Sequence, residues 1–286
     1  MSLRATELDG TDLGPLLALV QELWRENPRD VTCSYGQIAF WSAAVVHGEH
    51  DARAWYDGDR LDGWGWATGS ELEWQVRPER PELLDEILDW ASPAEVLVPE
   101  HHTDAIERLE RHGLRHAPEA PWMRFNHREL SELEEPSVPD NFTVRTVRDG
   151  DYASRAGAHR SAFHPSRFRE DVYAAVRASA AYRPELDCVV EAPDGSIAAF
   201  ALGWLDDENR LGELEPVGTH ADYRRLGLGR AVNLFALRQL RSLGATEALV
   251  QSRGDDASPL PAQLYESVGF RLWARTLAYR SPSAAA

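Results

Sequence analysis

In the second half of the chain a strand-like run ending at Thr219 leads through Arg224-Arg225-Leu226-Gly227-Leu228-Gly229-Arg230 into an amphipathic segment that reaches about Leu243. Two glycines so close together at a strand-to-helix junction restrict the fold. They let the backbone come near a ligand and take conformations closed to residues with a Cβ. The first amides of the following helix have no partner within it. Together with the helix dipole they favour an anion. Arg224, Arg225 and Arg230 add positive charge, and a pyrophosphate fits such a turn.

Several folds use a turn of this kind. A dinucleotide-binding unit calls for a third small residue where Val232 stands, in an early strand-turn-helix unit. Neither is present. A phosphate-binding loop of the Walker type needs Gly-Lys-Ser or Gly-Lys-Thr, and the chain has no such run.

The surrounding order of elements narrows the choice. Phe142–Val147 alternates like a strand. Helical segments follow from about Asp151 and over Arg169–Ala181. The apolar runs Leu186–Ala192 and Ile197–Trp204 flank Asp194-Gly195, a hairpin signal. Leu211–Thr219 is the next strand, and Gly244 stops the helix after the glycine turn. Thr246–Gln251 then reads as a strand. Ser258-Pro259 opens a helix that ends near Gly269, and Phe270–Tyr279 closes the series. The fold class is mixed α/β with a central sheet.

Two stretches in this order, Glu215-Pro216-Val217-Gly218-Thr219-His220 through Gly229 and Leu264-Tyr265-Glu266-Ser267-Val268-Gly269-Phe270, carry a resemblance. The chain resembles the GCN5-related N-acetyltransferase (GNAT) superfamily over about Phe142–Arg280. The phosphate motif of that superfamily is matched by Arg224, Gly227 and Gly229. The resemblance implies a mostly antiparallel central sheet flanked by helices and splayed between its fourth and fifth strands, with acetyl-CoA in the gap. Val217, Gly218 and Thr219 would pair with the pantetheine arm. Arg224, Arg225, Leu226, Gly227, Leu228, Gly229 and Arg230 would hold the pyrophosphate. Tyr265 matches the position of the proton donor to the departing thiolate. His159, His164, Phe168, Tyr173 and Tyr182 would line the acceptor pocket, with His220 near the thioester. Ser258 stands where many members have Asn, which puts a side-chain contact to the pantetheine in doubt.

Attack of an amine on a thioester needs a neutral amine, hence a base or a water relay. Strand alternation places Glu213 and Glu215 on one sheet face. Glu215 lies nearer the splay and is the preferred base; a substrate-binding or merely solvated carboxylate stays open.

The first half repeats the order in a worn form. Asp57-Gly58 sits between Ala52–Tyr56 and Leu61–Trp66, as Asp194-Gly195 does in its hairpin. Leu72–Val76 stands for Leu214–Val217, and Glu95–Val98 for Glu247–Val250. Such a repeat argues for duplication. At the place of the glycine pair, however, stands Arg80-Pro81-Glu82-Leu83-Leu84, and Leu109 stands at the tyrosine position. Pro81 removes an amide, and Glu82 and Asp85 repel a diphosphate. The expected organisation is a degenerate GNAT-like domain over 1–128, an acidic proline-bearing linker over 129–141, and a catalytic GNAT domain over 142–286.

With 47 acidic and 30 basic residues the net charge is -17. That field opposes binding to nucleic acid or anionic membranes. Cys33 and Cys188 lie far apart with no metal-type spacing, so free buried thiols and no metal are expected. The N-terminus lacks the apolar core of a signal peptide, and a cytoplasmic monomer or homodimer is expected. The function expected is acetyl transfer to a small-molecule amine. A non-catalytic acyl-CoA-binding or regulatory protein, or other acyl-CoA chemistry on the same fold, stays open at this point.

Overall fold

The computed structural model describes residues 4–8, 13–46, 51–255 and 258–282. The chain divides into two compact units. One comprises Met1–Arg124, Arg253–Pro259 and Ala274–Ala286; the other comprises Phe125–Ser252 and Leu260–Trp273.

In the first unit the order is β1 (Arg4–Glu7), α1 (Gly14–Glu26), α2 (Tyr35–Val46), β2 (Asp51–Asp57), β3 (Arg60–Thr68), β4 (Glu71–Val76), α3 (Leu83–Ala91), β5 (Glu95–Pro99), α4 (Thr103–Arg111) and β6 (Arg115–His116). Strands β1 to β4 pair antiparallel in sequence order. Strand β5 joins β4 in parallel, but only through Glu71↔Glu95 and Leu72↔Val96. Helix α3 buries Leu83, Leu84, Ile87 and Leu88 in a core that also holds Trp55, Trp74 and Leu109.

The chain continues with β7 (Met123–Glu129), β8 (Thr143–Thr146), α5 (Tyr152–Ala162), α6 (Glu170–Ala178), β9 (Asp187–Glu191), β10 (Ile197–Asp206), β11 (Leu211–Thr219), α7 (Leu228–Ser242), β12 (Glu247–Arg253), α8 (Pro259–Ser267) and β13 (Arg271–Arg280), of which the second unit holds Phe125–Ser252 and Leu260–Trp273. Strands β8 to β11 pair antiparallel in sequence order and β12 joins β11 in parallel. This is the pairing scheme of the first unit, so the repeat expected from the sequence is a repeat of topology.

Strand β10 is buried along its whole length because α7 packs on it from one element and α5 from another. That explains its continuous apolar run in place of alternation. A Cβ on Gly212 would lie 2.7 Å from Leu240 Cδ1, so glycine lets α7 approach the sheet closely. Gly244, at φ +108°, turns the chain out of α7.

Strand β7 was not foreseen. Its residues Met123-Arg124-Phe125-Asn126-His127-Arg128-Glu129 are mostly polar and mask a strand pattern. Asn126, 1% exposed, donates its amide to the Val250 carbonyl at 3.1 Å. Cys33 and Cys188 are buried free thiols, as expected. Among the described residues no helix is long and apolar enough to cross a membrane.

Candidate active site

The site begins with an irregularity in β11. Ala201 pairs with Val217 and Gly203 with Leu214, so Glu215 and Pro216 together face Leu202. This is a β-bulge. Pro216 has no amide to give to the ladder, which suits it to the bulge. The bulge leaves the Glu215 carbonyl to the indole Nε1 of Trp204, which donates to it at 2.6 Å.

The bulge lies just past the point where the sheet opens. Among the described residues the parallel pairing of β11 with β12 runs from Leu211↔Glu247 to Glu213↔Leu249 and ends there. From Leu214 onward β11 keeps β10 on one side only. Val217, Gly218 and Thr219 are half-buried in this stretch. Gly218 fits tightly: a Cβ there would lie 2.4 Å from Phe200 Cζ and 2.8 Å from Ala162 Cβ.

The glycine turn follows. Arg225 and Gly227 both take left-handed backbone, at φ +69° and +78°. Gly227 is the residue before α7, and a Cβ on it would meet nothing within 4 Å. Conformation, not crowding, calls for glycine at 227. At Gly229 a Cβ would come within 3.2 Å of Thr219 Oγ1 and 3.5 Å of Leu264. The first amides of α7 have no partner within the helix, and the space beside Gly227 is open. The arginines divide their roles. Arg230 is held by Glu134 at 2.7 Å, and Arg224 donates to the Ala162 carbonyl at 3.2 Å. Arg225 and Leu226 are exposed.

The charge of Glu215 acts on the phenol of Tyr265. Burial pushes the Glu215 carboxyl up to about 8, and the negative charge of Glu213 adds to this. Burial also pushes the Tyr265 phenol up, with Glu215 a second cause. Tyr265 is 7% exposed and stands edge-on to Phe270, with ring centroids 6.0 Å apart. Glu213, 4% exposed, lies in the closed part of the sheet, paired with Trp204 on one side and Leu249 on the other.

The residues expected around the acceptor separate into two groups. His164 is exposed in the loop after α5. His159 is buried and stacks on Phe168, with centroids 4.0 Å apart; burial first, then Arg155, push its imidazole down to about 3. Tyr173 and Tyr182 both donate hydroxyls to Asp187 Oδ2, at 2.5 and 3.1 Å. Arg155, 1% exposed, completes this network 3.5 Å from Asp187 and 3.8 Å above the Phe200 ring. So Tyr182 is engaged with a buried carboxylate, and His159 is a neutral aromatic support. His220 turns back on its own turn, accepting from the Asp222 amide. Trp204, Phe200, Arg155 and Asp187 were missed in the sequence. Only Pro216 inside a strand run signalled the bulge.

The sheet parts beyond a bulge, beside a glycine-bearing helix start. Residues 154–270 match the acetyltransferase (GNAT) family model. Over that stretch the chain is similar to the GNAT acetyltransferases. A mycothiol acetyltransferase of Saccharomonospora viridis is 27% identical over 200 residues, covering 66% of this chain and 64% of that protein. One of Nocardiopsis dassonvillei is 32% identical over 108 residues, covering 35% of this chain and 32% of that protein. The aligned stretches thus span less than two thirds of these relatives' own length. In fold the chain resembles a tandem GNAT protein from the clavulanic acid biosynthesis pathway, with a TM-score of 0.66 at 14% identity over 97% of this chain and 98% of that one.

Proposed function

We propose that this chain is an N-acetyltransferase that moves the acetyl group of acetyl-CoA to the amine of a small molecule by direct attack. The observation that carries the reading is the Glu215 carboxyl, pushed up to about 8, beside the buried Tyr265 where the sheet opens toward the glycine turn. The name shared by the relatives, mycothiol acetyltransferase, supports a small-molecule acceptor.

Acetyl-CoA bound in the cleft supplies the activated acyl thioester. The amides of Leu228, Gly229 and Arg230 hold its diphosphate, with Arg224 and Arg225 adding charge, and Val217–Thr219 align its arm. Glu215 takes a proton from the acceptor ammonium, directly or through water. A carboxyl near 8 matches that task close to neutral pH. Tyr265, its phenol held protonated by burial, gives a proton to the departing thiolate. Arg80-Pro81-Glu82 in the first unit offers neither the glycine backbone nor the charge for a diphosphate, so transfer belongs to the second unit.

Release of free thiol from acetyl-CoA across a panel of amines tests the reading. Release with at least one amine, strongly reduced in Tyr265→Phe, is the expected result. Tight acetyl-CoA binding with no release for any amine would make the chain an acyl-CoA-binding protein instead.

A further inference from the structure

Helix α7 lies on β9, β10 and β11. Its buried residues, Val232, Leu234, Leu237 and Leu240 among them, are apolar with one exception. The exception is Asn233, which is 0% exposed. Its side-chain Nδ2 donates to the Gly229 carbonyl at 2.7 Å. A carbonyl only accepts, so the side-chain amide meets it with its nitrogen. The Oδ1 is left buried without a protein partner. Asparagine is disfavoured here on two counts. It is a weaker helix former than leucine, and an unpaired buried oxygen costs free energy. Packing gives no reason for it; the bond of its nitrogen does.

That bond ends in the first turn of α7. The Gly229 carbonyl and the Arg230 amide are the two ends of one planar peptide unit. In an α-helix this carbonyl already accepts from the main-chain amide four residues on. Asn233 adds a second donor from its side chain. Two donors on one oxygen hold the plane of the peptide. They also draw electron density toward the oxygen, which makes the N–H at the other end a stronger donor. The Arg230 amide is one of those that open the helix without a partner inside it. The ladder of α7 starts one residue later, where the Ala231 amide donates to the Gly227 carbonyl at 3.1 Å.

We propose that Asn233 is a positioning residue for coenzyme binding. Through the Gly229 carbonyl it fixes and polarises the peptide whose Arg230 amide holds the diphosphate. This role rests on the diphosphate lying at the α7 turn, as proposed above. Asn233 is buried and does not touch the coenzyme or the acceptor. It therefore acts on affinity for the coenzyme, while the proton transfers of Glu215 and Tyr265 are untouched.

Calorimetry with coenzyme A and urea denaturation, both on the full chain, test this. Asn233→Leu removes the side-chain donor, keeps a similar shape and leaves the Gly229 carbonyl its main-chain bond. Affinity for coenzyme A should fall about fivefold, while the urea midpoint holds or rises because an unpaired buried oxygen is gone. The two signs separate positioning from a merely structural role, in which affinity and stability fall together. Asn233→Thr and Asn233→Val form a second pair of nearly equal shape, and they keep the test decisive if Asn233→Leu does not fold. In a helix the threonine hydroxyl reaches the carbonyl four residues back. The threonine variant should bind coenzyme A about threefold tighter than the valine variant. Equal affinity in wild type and Asn233→Leu, equal affinity in the threonine and valine variants, or a joint loss of affinity and stability in Asn233→Leu would overturn the role of Asn233 and leave the diphosphate turn standing. A wild-type chain that does not bind coenzyme A would overturn the turn and this role together.

Discussion

The indole nitrogen of Trp204 and the main-chain oxygen of Glu215 are joined by a hydrogen bond of 2.6 Å at the bulge where the sheet opens. The bond does what a ladder amide does elsewhere in β11, and it ties the backbone of the proposed base to the fully buried ring of its neighbouring strand. Trp204→Phe keeps most of the ring and leaves that carbonyl unpaired. The expected loss of stability is about 1–3 kcal/mol, the penalty for an unsatisfied buried group, and acetyl transfer should slow because Glu215 loses its brace. Urea denaturation beside a steady-state assay checks both; unchanged stability would show that the bond contributes nothing.

The raised carboxyl of Glu215 has two consequences in pH. As a base it acts only when ionised, so the rate should climb with pH and level off above about 8. Glu215→Gln should cost on the order of 10²-fold in rate and remove that limb. A limb that survives in the glutamine variant would assign it to another group. The second consequence concerns folding. Between the ordinary 4.5 and about 8 the native carboxyl keeps a proton that the unfolded chain has lost. The native state binds more protons there, so this group makes stability fall as pH rises through the window. Glu215→Gln should flatten that part of the pH–stability curve.

Tyr265→Phe tests the acid. The substitution keeps the edge-on contact with Phe270 and removes only the hydroxyl. It should lower kcat on the order of 10²-fold while leaving the KM for acetyl-CoA nearly unchanged, because the group acts on the leaving thiolate. Equal rates in the two proteins would remove Tyr265 from the mechanism.

The two halves of the chain should respond oppositely to changes at their turns. At Gly229 an aspartate brings a Cβ to 3.2 Å from Thr219 Oγ1 and a negative charge to the amides meant for a diphosphate. Gly229→Asp should weaken acetyl-CoA binding at least about 100-fold, from clash and repulsion together. Glu82→Gly, before α3 in the first unit, should leave it unchanged. Calorimetry giving the reverse order would exchange the roles assigned to the two units.

Much of this was legible in the residues. The strand and helix order of the second unit follows from Asp194-Gly195, the glycine turn and Gly244, since turn and cap chemistry is local. The bounds of Leu211–Thr219 agree with the strand observed. Other features depend on partners distant in sequence. Simple alternation puts Glu213 and Glu215 in equivalent settings, yet the bulge separates them into a closed and an open part of β11. The family resemblance marks His159 and Tyr182 for the acceptor side. Their commitment to Phe168 and Asp187 rests on contacts between α5, α6 and β9 that no local pattern encodes. Strand β7 escaped notice because its residues are mostly polar, and the amide of Asn126 finds its partners, the Val250 carbonyl and Ser252 Oγ, on distant β12.

Co-crystallisation with coenzyme A is the most direct measurement of the central claim. The account predicts diphosphate density within hydrogen-bonding distance of the Leu228, Gly229 and Arg230 amides, with the pantetheine arm running beside Val217–Thr219. Density for the diphosphate at any other place on the chain, or bound coenzyme whose arm avoids β11, would contradict it.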